Sequence, residues 1–248
     1  MTSLSQKYWE KDCTTYIKLL GNTDDYPSPY TRIIVPTLTK LIKQLTKINN
    51  KVLDIGCGEG YLTRLVSSLK REAFGCDLSP EMIASAKKQN PNLNYWVQDI
   101  EKKNSNLKNS PKFKLIISNL VFTYLKDIDQ ALNNISQYLD SHSHLIIIIP
   151  HPCFYHQENY RWFMEENNKP YRIGKYFEEK TYIKEISNGI TTHYIHRTLQ
   201  TYIKIFTRNQ FQLIDFLEPQ PQKITNNILK KVNQVPSIAF FVLQKSKN

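Results

Sequence analysis

The chain has 248 residues, 40% hydrophobic and 22% charged, which supports a folded core and excludes an intrinsically disordered chain. The longest apolar run, the six residues Ile238–Leu243, is far shorter than the about 20 residues that a membrane-spanning helix needs. The first residues lack the apolar core of a secretory signal. The four cysteines, Cys13, Cys57, Cys76 and Cys153, are far apart, as is usual for reduced thiols. We therefore expect a cytoplasmic protein.

The net charge of +11 arises from 33 Lys and Arg against 22 Asp and Glu, and it has two interpretations. A basic surface attracts RNA or an acidic substrate. The excess is mostly lysine, however, spread along the chain among many asparagines and isoleucines, as an AT-rich genome would produce. No RNA-binding motif or zinc knuckle accompanies it. The sequence therefore favours a protein that does not bind nucleic acid.

The N-terminal residues 1–48 show helical spacing in two places. Apolar residues predict one amphipathic helix around residues 8–20 and a second helix that begins near Pro36. We expect these helices to form a cap on a single domain that spans residues 1–248.

From Lys51 onward, short apolar strands alternate with helical segments. The predicted strands are KVLDI, EAFGCD, LNYWVQD, FKLIISN and SHLIIIIP, and the helices are YLTRLVSSLK, EMIASAKKQN and residues 127–139. Continuous apolar strands separated by helices indicate a parallel sheet covered on both faces. After a helix near residues 198–209, FQLIDFLE and SIAFFVLQK have no helix between them and should pair antiparallel. We predict an α/β fold with a doubly wound, mostly parallel, seven-stranded sheet.

Residues 151–196, here named the insertion, interrupt this alternation after the fifth strand. This polar stretch carries many aromatic side chains, namely Phe154, Tyr155, Tyr160, Trp162, Phe163, Tyr171, Tyr176 and Phe177. Their concentration predicts a lid over an apolar pocket that would hold an aromatic or fatty substrate and exclude water. We expect Tyr155 and Trp162 to contact that substrate. The alternative is a homodimer surface, because interfaces are rich in the same residues.

Glycine is concentrated at one turn, since three of the seven glycines, Gly56, Gly58 and Gly60, follow the first predicted strand. Glycine there permits positive φ and close approach of a ligand, and the next helix offers free N–H groups. The spacing GxGxG differs from the GxGxxG of dinucleotide sites, and the Gly-Lys-Ser/Thr of a P-loop is absent. Asp54 would repel a pyrophosphate but can accept a hydrogen bond from an ammonium. These features favour a zwitterionic ligand with an amino-acid end.

The segment VLDIGCGEG resembles the first motif of the class I S-adenosylmethionine-dependent methyltransferases, and three further segments follow in that family's order. The resemblance implies that Asp77, in GCDLSPEM, binds both ribose hydroxyls, for which a carboxylate is suited. It implies that Asp99 and Ile100, in YWVQDI, hold the adenine. It also implies that Asn119 and Leu120, after the fourth strand, lie next to the reacting methyl group.

The cofactor that the resemblance implies is S-adenosylmethionine, and the similar region covers most of residues 50–150 and the last two strands. We expect cofactor contacts from the N-terminal cap, the glycine turn and the strand ends, specifically Tyr8, Tyr30, Arg32, Asp54, Gly56, Cys57, Gly58, Asp77, Leu78, Met82, Asp99, Ile100, Asn119 and Leu120. Arg32 is the candidate for the methionine carboxylate. Tyr8, Trp9 and Tyr30 are candidates for closing over the sulfonium with their aromatic faces. A helix that only packs on the core explains the same three residues.

Transfer to an oxygen or nitrogen nucleophile also requires removal of a proton. His151, directly after Pro150, is the candidate general base, since histidine titrates near neutral pH; alternatively it orients a loop by hydrogen bonding. His196 and Arg197 are candidates for binding a substrate anion or for capping the sheet edge. We expect no metal site, because the scattered histidines and cysteines do not make a ligand set.

Three further segments resemble bacterial small-molecule methyltransferases related to the ubiquinone and menaquinone C-methylases. They are YTRIIVPTLTKLI before the first strand, IPHPCF after the fifth strand and HRTLQTYIKIFTRNQFQLIDFLEPQP near the end. The resemblance implies in-line transfer of a methyl group to an O, N or C nucleophile of a small, aromatic or apolar molecule. The Asn/Asp-Pro-Pro-Tyr segment of enzymes that methylate DNA amino groups or glutamine is absent after the fourth strand. The alternatives are a non-catalytic S-adenosylmethionine-binding protein and, on charge alone, an RNA methyltransferase.

Overall fold

The computed structural model describes residues 33–102, 111–154, 176–187, 190–220 and 236–246. The strands in these ranges are β1 (Lys51–Ile55), β2 (Glu72–Asp77), β3 (Asn94–Val97), β4 (Phe113–Asn119), β5 (Leu139–Pro150), β6 (Thr181–Ser187), β7 (Ile190–Ile195), β8 (Phe211–Leu217) and β9 (Ile238–Lys245). The helices are α1 (Val35–Leu45), α2 (Tyr61–Ser68), α3 (Pro80–Gln89), α4 (Ile128–Ser136) and α5 (Leu199–Arg208). None of these helices is long and apolar enough to cross a membrane.

Seven of these strands form one sheet in the order β3-β2-β1-β4-β5-β9-β8. Strands β1 to β5 are parallel to their neighbours among themselves, whereas β9 is antiparallel to both β5 and β8. The predicted seven-stranded, mostly parallel sheet is confirmed, as is the antiparallel pairing of the last two strands. The hairpin of β6 and β7, inside the insertion, was not predicted, because the aromatic and charged residues there show no buried strand pattern.

The main sheet is covered on both faces, because successive side chains of each strand contact different helices. Ile116 and Phe241 pack in the cluster that includes α4 and α5, and Val52 and Ile117 pack in the cluster that includes α1 and α2. The whole run Leu145–Ile149 is 0% exposed. Burial on both faces therefore explains the continuous apolar strands of the sequence.

The turn after β1 has left-handed backbone at three glycines, with φ of +69° at Gly56, +55° at Gly58 and +85° at Gly60. A Cβ at Gly56 would lie 2.2 Å from Cγ2 of Val121, and a Cβ at Gly60 would lie 2.5 Å from Oη of Tyr95. By contrast, no described atom lies within 4 Å of a Cβ at Gly58. The outer two glycines therefore serve packing, and only Gly58 faces open space.

We expect Gly60→Ala to lower the free energy of unfolding more than Gly58→Ala. Both variants carry the cost of a left-handed alanine, about 1 kcal/mol. Only Gly60→Ala also forces a methyl group against the Tyr95 ring, and such overpacking adds about 1–3 kcal/mol. Denaturant unfolding of both variants measures the difference, and equal destabilisation would contradict the packing role of Gly60.

Candidate functional site

The carboxyl ends of β1, β2 and β4 lie together at one edge of the sheet, and the strand order reverses between β1 and β4. Ligands bind at such a switch point in open α/β sheets. The turn after β1 is tied to the end of β2, because the N–H groups of Gly56 and Cys57 donate to the carbonyl of Cys76 at 2.8 and 3.0 Å. The predicted residues of the three strand ends therefore share one edge.

The carboxylate of Asp77 is held by two backbone N–H groups. Its Oδ2 accepts from Gly58 N at 2.9 Å, and its Oδ1 accepts from Ser79 N at 2.9 Å. Burial raises the pKa of Asp77, and the N–H groups of Ser79, Gly58 and Leu78 act in the opposite direction. Each carboxylate oxygen retains a second lone pair. The group can therefore accept from two neighbouring hydroxyls, as the ribose prediction requires.

Asp54 is 1% exposed and only half satisfied. Its Oδ2 accepts from Thr63 Oγ1 at 2.8 Å, whereas Oδ1 has no hydrogen-bond partner within the described ranges. Burial raises the pKa of Asp54 to about 7, and the charge of Asp77 raises it by a smaller amount. The hydrogen bond from Thr63 acts in the opposite direction. A buried acceptor without a donor is costly. A ligand ammonium would supply both the donor and the opposite charge.

The segment after β3 is held by its own turn and by α4. Oδ1 of Asp99 accepts from Glu101 N at 3.0 Å, and Oδ2 lies 3.5 Å from Lys102 Nζ. Ile100 is buried, and its carbonyl accepts from Asn134 Nδ2 at 2.7 Å. The predicted adenine residues are therefore fixed in place before any ligand binds.

The end of β4 combines unpaired polar atoms with backbone strain. In the described part of the chain, Oδ1 of Asn119, Oγ of Ser118 and Oγ1 of Thr123 are buried without a hydrogen-bond partner. Leu120 has a φ of +58°, and its N–H donates to the Ile148 carbonyl at 2.8 Å. A left-handed leucine costs about 1–2 kcal/mol, and such strain clusters at functional sites.

The remaining predicted cofactor residues occupy two places. Cys57 is buried in the β1 turn, while Leu78, half-buried, and Met82, buried, lie at the junction of β2 and α3. Their contacts with a cofactor stay predictions. Six other predicted site residues lie outside the described residues, namely Tyr8, Trp9, Tyr30, Arg32, Tyr155 and Trp162.

His151, the predicted general base, is 1% exposed and uses both ring nitrogens. Nδ1 accepts from Cys153 N at 3.2 Å, so Nε2 carries the proton and donates to Glu218 Oε1 at 2.7 Å. Burial lowers the pKa of His151, and the Glu218 carboxylate opposes that shift. Neither nitrogen offers a lone pair to a substrate in this arrangement. The geometry favours the alternative in which His151 orients a loop, and its catalytic role stays a prediction.

His196 and Arg197, predicted to bind a substrate anion, both face backbone carbonyls. His196 Nε2 lies 2.8 Å from the carbonyl oxygen of Tyr176. Arg197 Nη2 donates to the carbonyls of Leu125 and Lys126 at 2.7 and 3.3 Å. Their binding of substrate stays a prediction. Across the described ranges, no group of three or more His, Cys, Asp or Glu side chains is arranged to hold a metal ion.

Two contributors to the site were missed from the sequence. Thr63 is 0% exposed and supplies the hydroxyl that donates to the Asp54 carboxylate; its signal was a hydroxyl residue on the buried face of α2. Oε1 of Glu101 accepts from the N–H groups of Lys126 and Asp127, both at 2.7 Å. No local pattern marks Glu101, because its partners lie about 25 residues away in the chain.

Residues 46–230 match the family model of a methyltransferase domain. The malonyl-acyl-carrier-protein O-methyltransferase of Bacillus cereus is 32% identical over 167 residues, which cover 63% of this chain and 60% of that protein. The ubiquinone biosynthesis O-methyltransferase of Coxiella burnetii is 31% identical over 107 residues, 41% of this chain and 44% of that protein. The chain thus spans less than two thirds of these relatives.

A crystal structure of an S-adenosylmethionine-dependent methyltransferase from Mesorhizobium loti has the same fold. It is 20% identical, with a TM-score of 0.71 over 88% of this chain and 99% of that one.

The described residues fit S-adenosylmethionine on structural grounds. The unpartnered Oδ1 of Asp54 matches an ammonium, the lone pairs of Asp77 match a ribose diol, and Gly58 leaves room for close approach. Together with the match over residues 46–230, these features show that the chain belongs to the class I S-adenosylmethionine-dependent methyltransferases.

Proposed function

We propose that this methyltransferase transfers the methyl group of S-adenosylmethionine to an oxygen atom of a small acceptor molecule. The observation that carries the cofactor part is the carboxylate of Asp77, oriented by two N–H groups beside the open space at Gly58. The choice of oxygen is supported by the names of two relatives, which are both O-methyltransferases.

In this proposal each strand end binds one part of the cofactor. Asp54 accepts from the ammonium, Asp77 accepts from the ribose hydroxyls, and Asp99 with Ile100 holds the adenine. The bound cofactor supplies a methyl carbon that its positive sulfur makes electrophilic. Asn119 and Leu120 would border the acceptor oxygen and orient it toward that carbon.

The hydrogen bonds of His151 bear on the kind of oxygen. A neutral hydroxyl must lose a proton during transfer, and the lone pair of Nδ1 is already engaged with Cys153 N. An oxygen that is anionic before it binds, as in a carboxylate, needs no base. We therefore propose that the group that receives the methyl is a carboxylate rather than a phenol.

We expect label from methyl-labelled S-adenosylmethionine to appear in a carboxylate acceptor as an ester, because an ionised oxygen can attack directly. The assay offers the protein a malonyl thioester and a catechol separately and then treats the products with mild alkali. Alkali releases the methyl group of an ester as methanol and leaves an aryl ether intact. Transfer to the catechol alone would contradict the carboxylate preference, and cofactor binding without any transfer would favour the non-catalytic alternative.

We expect Asp77→Asn to weaken binding of S-adenosylhomocysteine by about 10- to 100-fold, because hydrogen bonds to a charged group contribute about 1.5–3 kcal/mol. The amide also turns a donor toward the N–H of Gly58 or Ser79. Isothermal titration calorimetry measures the affinity. Asp129→Asn is the matched control, since its carboxylate pairs with Arg208 on the surface. Equal affinities of Asp77→Asn and wild type would rule out the ribose assignment.

We expect the affinity for S-adenosylhomocysteine to rise from pH 6 to pH 8. The pKa of Asp54 in the free protein is about 7, so the carboxyl is mostly neutral below that pH, and an ammonium prefers its ionised form. Binding therefore releases a proton. The same raised pKa means that ionised Asp54 disfavours folding, so its contribution to stability falls as the pH rises from about 4 to about 7. Titrations at pH 6, 7 and 8 measure the affinity, and Asp54→Asn should remove most of the change; an unchanged slope in that variant would exclude Asp54 as its origin.

A further inference from the structure

Residues 120–127, here named the β4 segment, join β4 to α4 without forming a helix or strand. Backbone groups in such a segment need partners from elsewhere. Arg197 supplies three of them, since Nη1 lies 3.5 Å from the Phe122 carbonyl and Nη2 donates to the carbonyls of Leu125 and Lys126 at 2.7 and 3.3 Å. One guanidinium thus binds both halves of the segment.

The two carbonyls between these contacts are bound by neighbours of Arg197. Ile195 N donates to the Thr123 carbonyl at 2.7 Å, and His193 Nε2 lies 2.7 Å from the Tyr124 carbonyl. Five consecutive carbonyls, those of residues 122–126, therefore face donors of residues 193–197. Residues 193–197 are therefore joined to the middle of the β4 segment by hydrogen bonds.

The opposite side of the β4 segment contacts the cofactor loops. Val121 Cγ2 fills the space where Gly56 would carry a Cβ. Glu101 Oε1 accepts from the N–H groups of Lys126 and Asp127, while the N–H of Glu101 donates to Asp99. A shift of the segment would therefore disturb both the glycine turn and the adenine loop.

Arg197 is itself anchored at the start of α5. Thr198 caps the helix by accepting from Thr201 N at 3.2 Å. Oε1 of Glu179 accepts from the N–H and the hydroxyl of Thr198, both at 2.8 Å. These bonds fix the backbone next to Arg197. The guanidinium of Arg197 in turn holds the β4 segment in a fixed position.

We infer that Arg197 is a positioning residue, which holds the β4 segment so that Leu120 keeps its left-handed backbone and Asn119 faces the cofactor. The inference rests on the proposed cofactor contacts of Asn119 and Leu120. A guanidinium suits this role because it presents several donors in one rigid plane, whereas lysine has a single ammonium. The donors that reach Phe122, Leu125 and Lys126 are directed at the protein's own carbonyls, which differs from the predicted binding of a substrate anion.

The first test compares two arginine variants by titration with S-adenosylhomocysteine. Arg197→Met should weaken binding about tenfold, because the segment loses three hydrogen bonds to a charged group. Arg208→Met is the matched control on α5, where the guanidinium forms an exposed pair with Asp129, and its affinity should match that of wild type. Unchanged affinity in Arg197→Met would overturn the inference. If the wild-type protein does not bind S-adenosylhomocysteine, that result would instead overturn the proposed function.

The second test separates positioning from a general loss of structure. Glycine adopts the left-handed conformation of residue 120 without penalty, so Leu120→Gly should make the site less dependent on Arg197. We expect Arg197→Met to reduce the affinity less in the Leu120→Gly protein than in wild type. The two factors of reduction should differ by about threefold or more. The same factor in both proteins would overturn the inference. If Arg197→Met does not fold, Arg197→Lys replaces it in both tests under the same criteria.

Discussion

The two backbone N–H groups that donate to the Asp77 carboxylate join the turn after β1 to the start of α3. One group belongs to Gly58, whose left-handed backbone points its N–H at the carboxylate. The other belongs to Ser79, which also caps α3 through its hydroxyl. One carboxylate therefore orients a glycine turn, a strand end and a helix start, and the proposed cofactor site depends on this arrangement.

The residues at the same edge of the sheet destabilise the unbound protein, through both electrostatics and backbone strain. Asp54 is buried and Asp77 is half-buried, and burial raises the pKa of each. Asp54 and Asn119 leave buried acceptors without partners in the described residues, and Leu120 holds a strained backbone. A cofactor that carries an ammonium would supply a donor to the unpaired oxygen of Asp54 on binding. The binding of such a cofactor would therefore remove part of the unfavourable free energy that the unbound protein carries at this edge.

The loops that follow β4 and β5 are held differently, because they depend on contacts between distant parts of the chain. Residues 193–197 supply donors to the carbonyls of residues 122–126. His151, placed after β5, is bound to Glu218 beyond β8. These links hold the loops above the sheet, and they occupy side chains whose types alone would have favoured catalysis or substrate binding.

Local patterns in the sequence determined the sheet and the cofactor edge. Because the sheet is buried on both faces, its strands are apolar throughout and alternate with helices. Gly58, Asp77 and Asn119 lie at or next to strand ends that this pattern predicts. The tertiary structure alone decided the β6–β7 hairpin, the buried partner Thr63 of Asp54 and the hydrogen-bond partners of Glu101, His151 and Arg197. The physical reason is that a hydrogen bond such as that of Arg197 to Leu125 joins residues 72 positions apart. Such partners are set by how the strands are ordered in space, and no periodicity along the chain records them.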